Sequence, residues 1–182
     1  MLKRLFQRKR PEAEALDLYD AIVAQARQPY FYAALGVPDT IDGRFEMIAL
    51  HAFLVMRRLK GQGAEAAAVS QQLFDTLIAD MDRSLREIGI GDLSVPKHIK
   101  NMAKGLYGRI VSYEKGLAEP GDAALHAAFD RNLYGTVMEV PEEHLAAMTS
   151  YLRREDEALK TFPLDRMVAG HVRFGPASAA AA

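Results

Sequence analysis

The sequence predicts an all-α fold, a single compact bundle of about six helices with a long central pair, and three observations carry that reading. Apolar residues recur at three- and four-residue spacing along nearly the whole chain. Period-two alternation of β-branched residues appears nowhere at useful length. The 182 residues show no internal break in composition, and that length suits one core better than two.

The elements follow in order. Met1 to Arg10 is basic with no acid, as the start of a transit peptide is, but Pro11 and Glu12 lead straight into a helical pattern, so residues 1–11 are expected to be an uncleaved basic arm whose Leu2, Leu5 and Phe6 can touch a membrane surface weakly. The bundle is expected over residues 12–163. A first helix over Glu12–Gln28 carries Leu18, Tyr19, Ile22, Val23 and Ala26 on one face, and Pro29 stops or bends it. Tyr30-Phe31-Tyr32 then leads to a turn at Gly36-Val37-Pro38-Asp39. Asp42 is the expected N-cap of a second helix to Lys60, which Gly61 ends. That helix is apolar on almost every side between Met47 and Met56, which places it in the middle of the bundle.

A third helix, Ala64–Glu87, sets Leu73, Leu77, Met81 and Leu85 at four-residue intervals, with Phe74, Ile78 and Ile88 beside them. Gly89-Ile90-Gly91-Asp92 is the turn. Pro96 suits the start of a fourth helix to Leu117, with Ile99, Met102, Leu106, Ile110, Tyr113 and Leu117 as its stripe. Asp122 is expected to cap a fifth helix through Leu133. Pro141 opens a sixth to Phe162, with Leu145, Met148, Leu152, Leu159 and Phe162 facing inward. Pro163 closes it, and residues 164–182, small-residue low complexity from Gly175 on, are expected to be an extended or disordered tail.

Composition removes several function classes. Lys plus Arg total 23 against 24 for Asp plus Glu, a net charge of -1, so no global field steers the protein to nucleic acid or membrane and charged recognition must be local. The absence of cysteine excludes disulfides, Cys-bound zinc, iron–sulfur clusters and a thiol nucleophile. The longest apolar run, Met47 to Met56, is ten residues, too short for a bilayer that needs about 20. His51, His98, His126, His144 and His171 lie on separate segments, and none has a His or Glu partner in the H-E-x-x-H or E-x-x-H register, so neither a metal site nor a cofactor is expected. His51, inside the apolar run, is expected to be a core histidine with one hydrogen-bond partner, and the other four to be on the surface. No G-x-S-x-G, Walker loop or dinucleotide fingerprint is present, and no catalytic residue is expected. Gly89, Ile90 and Val95 sit where a helix-turn-helix wants them, but the preceding helix is too long and Leu85 takes a small residue's place. DNA binding is not expected.

Two local features remain. Lys97, Lys100 and Lys104 share one face of the fourth helix, with Tyr107 a turn further on. Spacing alone leaves this open between a solvated face and a binding surface. Asp82 and Arg86 stand at i,i+4, a pair that contributes a few tenths of a kcal/mol when exposed.

The segment Asp80-Met81-Asp82-Arg83-Ser84-Leu85-Arg86-Glu87-Ile88-Gly89-Ile90-Gly91-Asp92-Leu93-Ser94-Val95-Pro96-Lys97, followed by Tyr107-Gly108-Arg109, resembles the ubiquinol-cytochrome c chaperone family. Tyr30-Phe31-Tyr32, Gly36 to Thr40, Gly43-Arg44-Phe45, His51 and Arg131 to Tyr134 extend the match over roughly Ala26 to Tyr134. The resemblance implies an all-helical domain that in mitochondria helps newly made cytochrome b enter the cytochrome bc1 complex, near the ribosome exit and with a small helical partner. This chain is similar to a compact bacterial version. A non-catalytic assembly chaperone is then expected, placed in the cytoplasm or at the inner face of the cytoplasmic membrane. Lys97, Lys100, Lys104 and Tyr107 are expected to meet client loops or lipid headgroups, and Tyr30 and Phe31 are candidates for an exposed apolar patch, with half-buried packing the more common fate of such residues. Asp82, Arg86, Gly89, Gly91, Asp92 and Arg109 are expected to hold the turn between the third and fourth helices. The alternative is a helical scaffold or regulatory adaptor for a soluble partner. An exposed apolar groove beside the lysines would favour the chaperone, and an evenly polar surface the adaptor.

Overall fold

The computed structural model describes residues 11–178, and among them the chain forms eight helices and no strand. They are α1 (Pro11–Ala26), α2 (Pro29–Ala33), α3 (Ile41–Leu59), α4 (Ala64–Glu87), α5 (Val95–Ala118), α6 (Ala123–Asn132), α7 (Glu142–Thr161) and α8 (Leu164–Val168). The fold is all-α. The basic arm with Leu2, Leu5 and Phe6 lies outside the described residues.

Every residue of α3 from Phe45 to Val55 is buried, which follows from a segment with no polar face. Around it pack α1, α4, α5, α7 and α8. The cap that starts α3 is Thr40 and not the expected Asp42: the Thr40 hydroxyl accepts from the Gly43 backbone N–H at 3.1 Å. Gly43 has to be glycine, because a Cβ there would stand 2.0 Å from the Pro38 carbonyl oxygen. α4 and α5, 24 residues each, form a long hairpin. They bury Leu73, Leu77, Met81, Leu85, Leu106 and Tyr113 of the predicted stripes, with Leu77 and Leu106 each only 1% exposed, while Ile88 stays exposed.

Two segments depart from the expected outline. Pro29 does stop α1, but it also opens the single-turn α2, since its fixed φ and missing N–H suit a first helical turn. The region after Pro163 is packed where a loose tail was expected. Met167 of α8 is fully buried, and the Phe174 ring meets the His51 imidazole edge-on with centroids 5.1 Å apart. Gly175 donates its N–H to Glu155 Oε2 at 2.8 Å and its carbonyl accepts from Gln25 Nε2 at 2.9 Å. Residues 179–182 lie outside the described part.

His51 is a buried polar residue with both ring nitrogens partnered. It is fully buried and makes two hydrogen bonds, not the single one expected. Nδ1 stands 2.7 Å from the Met47 carbonyl, which can only accept, so Nδ1 carries the proton. Nε2 therefore accepts from the Tyr151 hydroxyl at 2.7 Å, and that oxygen accepts from Gln25 Nε2 at 2.9 Å. In this arrangement both ring nitrogens are satisfied with the imidazole neutral. Burial pushes the His51 pKa down to about 4 from 6.5.

The consequence for stability has a definite sign. Above pH 6.5 the ring is neutral in folded and unfolded chains alike; as pH falls toward 4 only the unfolded chain takes up the proton, and stability is lost. Urea unfolding of the wild type should lose about 2 kcal/mol on this account between about pH 7 and about pH 5. His51→Gln, which cannot titrate, should lack that increment; an equal loss in both proteins would contradict the neutral, Nδ1-protonated imidazole.

Candidate functional site

The hairpin tip is built from its backbone outward. α4 ends in a Schellman turn, in which Ile90 N–H donates to the Leu85 carbonyl at 3.1 Å and Gly89 sits at φ +87°, the left-handed region that glycine enters without strain. Gly91 then accepts from the N–H groups of Ser94 and Val95 at 2.8 and 3.3 Å, which turns the chain into α5. Arg86 spans the turn, donating through Nε to Asp82 at 2.6 Å and through Nη1 to Asp92 at 2.5 Å. Its guanidinium holds the Asp82 carboxyl below the usual range.

Arg109 is elsewhere. Expected at this turn, it instead grips Glu46 of α3 through two parallel hydrogen bonds, Nε to Oε2 at 2.6 Å and Nη2 to Oε1, with its guanidinium carbon 5.7 Å from the Phe45 ring centre. Burial raises the Glu46 pKa, and Arg109 opposes that rise. The distance along the chain hid this pair, since nothing local links positions 46 and 109.

Lys97, Lys100 and Lys104 are all exposed, on the side of α5 opposite the buried Val95, Leu106 and Tyr113. None takes part in an ion pair among the described residues. Tyr107 is 71% exposed on the same face, and Val111, one turn beyond, is 52% exposed. Leu93, just ahead of the helix, is fully exposed. Val111 was legible as Tyr107 plus four; Leu93 was legible as an apolar residue in a glycine turn with no helical face to join.

This face is electrostatically unfavourable to its own helix. Lys97 stands in the first turn, where the macrodipole favours anions, and α5 has no acid there. The other long helices do: Glu12 and Glu14 in α1, Asp42 in α3, Glu65 in α4, Glu142 and Glu143 in α7. Lys97 and Lys100 are three apart and Lys100 and Lys104 four apart, so each neighbouring pair repels by a few tenths of a kcal/mol.

An apolar groove of about 230 Å³ opens on the other side of the hairpin, between the start of α3, the end of α4 and Met102 of α5. Phe45, Ile48, Met81 and Leu85 form its nearly buried floor, and Ile41 and Ile88 stand on its rim 56% and 52% exposed. Arg27, Arg44, Asp80 and Glu87 also line it. Groove and lysine face are thus separated by the width of α5, with Ile88 and Leu93 at the turn that joins the two sides. The sequence singled out neither Ile41 nor Ile88 for a site, because both continue apolar stripes and only the packing shows them unpartnered.

Tyr30, at 38% exposure, remains near the surface, but Phe31 does not. Phe31 is fully buried, edge-on to Tyr151 at 5.0 Å and to His51 at 5.7 Å between centroids, and it leaves the expected apolar patch. His98 and His171 are exposed, whereas His126 and His144 are half-buried and His126 Nδ1 lies 3.0 Å from Glu142. Among the described residues no three His, Asp or Glu side chains gather as metal ligands, and no helix is long and apolar enough to cross a membrane.

Comparison with known proteins decides the family. The family described as ubiquinol-cytochrome C chaperone matches residues 33–174. The chain belongs to that family. The crystal structure of the Cbp3 homolog from Brucella abortus superposes with a TM-score of 0.84 at 38% identity, covering 93% of this chain and 92% of that one. Ubiquinol-cytochrome-c reductase complex assembly factor 1 of Xenopus laevis is 24% identical over 89% of this chain and 80% of its own length. The human assembly factor 1 is 24% identical over 54% of its length, and the yeast mitochondrial protein CBP3 26% identical over 44%. This chain therefore spans about half of those two longer relatives. As a member of the ubiquinol-cytochrome C chaperone family it carries the α4–α5 hairpin and all of α3 inside the matched span.

The repulsion within the lysine face makes a stability prediction. Lys97→Glu should raise stability by about 0.5 to 1 kcal/mol, through the helix dipole and a new i,i+3 pair with Lys100. A urea midpoint below that of the wild type would show that Lys97 is held by contacts that an exposed position lacks.

Proposed function

We propose that this chain is a non-catalytic assembly chaperone of the ubiquinol–cytochrome c reductase complex, and that it holds newly made cytochrome b until the complex takes it up. Family membership and the 38% identical bacterial Cbp3 homolog support the chaperone part. The observation that carries the client part is the groove between Ile41 and Ile88, which leaves two large aliphatic side chains in water over an apolar floor. A membrane-protein segment waiting outside the bilayer has apolar surface to cover, and such a groove covers it. A contact confined to this rim and floor is small, so it should be weak and readily released, as a holding step requires. Tyr30 belongs to the same reading as an outer contact, and the chain works at the inner face of the cytoplasmic membrane. A ribosome and a small helical subunit, which the resemblance adds, are compatible partners that this contact does not require.

The test is made in cells. Replacing Ile41 and Ile88 together by Asp should leave the fold intact, because exposed positions tolerate such changes within about 0.5 kcal/mol each. Assembled bc1 complex should fall severalfold while other respiratory enzymes stay near wild-type levels. Normal bc1 levels in a complete deletion of the chain would remove the chaperone reading, and normal levels in the double variant alone would remove the groove from it.

A further inference from the structure

The outer face of α5 makes no ion pair through its lysines among the described residues. It sets three like charges along about 10 Å of helix, one of them against the helix dipole, and leaves Leu93, Tyr107 and Val111 in water among them. From Leu93 to Val111 the strip runs about 27 Å without an acidic residue on it. The first carboxylate of α5, Glu114, is turned away to Lys60 at 3.0 Å. In a chain with a net charge of -1 this is a local cationic and apolar surface that the described residues leave exposed.

The residue types say what it fits. Single-stranded nucleic acid is held by stacking on aromatic rings and arginine planes, and here one tyrosine is accompanied by Leu and Val, with Arg109 spent on Glu46. A carboxylate-bearing peptide is best met by the bidentate arginine fork, and the face has none. Lysines on flexible stems around aliphatic side chains match a layer that is anionic outside and apolar a few ångströms further in. We propose that the outer face of α5, with Leu93 ahead of it, docks this protein on the anionic surface of a lipid bilayer. Lys97, Lys100 and Lys104 sit at headgroup level, and Leu93, Tyr107 and Val111 reach the boundary with the acyl chains. The groove at Ile41 and Ile88, on the other side of α5, stays open in this pose. The proposal does not depend on what the groove holds.

The chain has no tryptophan, so Tyr107→Trp places a single fluorescent reporter on the face. With full-length protein and vesicles of phosphatidylcholine mixed with phosphatidylglycerol, its emission should shift to the blue and the protein should float with the vesicles; neither should occur with phosphatidylcholine alone. Raising the salt should release it. Lys97→Glu, Lys100→Glu and Lys104→Glu together should weaken vesicle binding on the order of a hundredfold or more, with an unchanged circular dichroism spectrum. The basic Met1–Arg10 segment is retained in that variant, so the loss belongs to α5. Binding that persists in the triple variant, a reporter that does not shift, or lysine-dependent binding to a single-stranded RNA oligonucleotide in place of vesicles would overturn the proposal. Loss of vesicle binding with normal client capture in detergent supports it and leaves the chaperone reading untouched.

Discussion

The structure depends on a central helix that has no polar face and yet carries two polar residues. Every side chain from Phe45 to Val55 is buried, and Glu46 and His51 are among them. A buried carboxylate and a buried imidazole each need partners from outside the helix, since an unsatisfied one costs several kcal/mol. Arg109 answers Glu46 and so fixes α5 against the first half of α3. Tyr151 answers His51, Gln25 answers Tyr151, and the Gly175 carbonyl answers Gln25, which ties α7, α1 and the C-terminal stretch to its middle. Apolar packing supplies the bulk of the stability, but it is indifferent to small slips between helices. The polar anchors are not.

Their position also decides what the surface presents. With Arg109 turned inward to Glu46, the residues half a turn away on α5 face solvent, and these are Lys100, Lys104, Tyr107 and Val111. The same registration leaves Ile41 and Ile88 on either side of a groove that α5 approaches only through Met102. Both exposed features therefore follow from how one ion pair seats the hairpin, and both run against folding stability: like charges in the first turns of α5, aliphatic side chains in water at the groove. Residues that weaken the fold where a neutral choice was open are the ones to examine for binding.

Much of this was legible in the sequence, and the rest was not for identifiable reasons. The six predicted helices reappear as α1 and α3 to α7, because each rests on a three- or four-residue apolar period that tertiary packing reinforces. Periodicity could not decide which ring of Tyr30-Phe31-Tyr32 turns inward, since a single helical turn has no repeat to average over; Phe31 goes in because Tyr151 and His51 await it. The sequence around Arg109 carries no local sign of Glu46, 63 residues away, and only the fold brings the two together. The last stretch looked featureless by composition, and its two informative residues, Met167 and Phe174, are single apolar side chains whose sockets lie on other helices. At the candidate site the lysines could be read from spacing, whereas Ile41 and Ile88 could only be seen as exposed once the hairpin was in place.

The central claim is that this hairpin presents an apolar groove to a membrane-protein client. A photoreactive amino acid placed at Ile41 in the full-length chain, activated in growing cells, tests it at the residue concerned. The account predicts a crosslinked product containing cytochrome b, abundant while the protein is being synthesised and lost soon after synthesis stops. A product containing a soluble protein at constant yield, with no membrane protein captured, would contradict it and point to an adaptor.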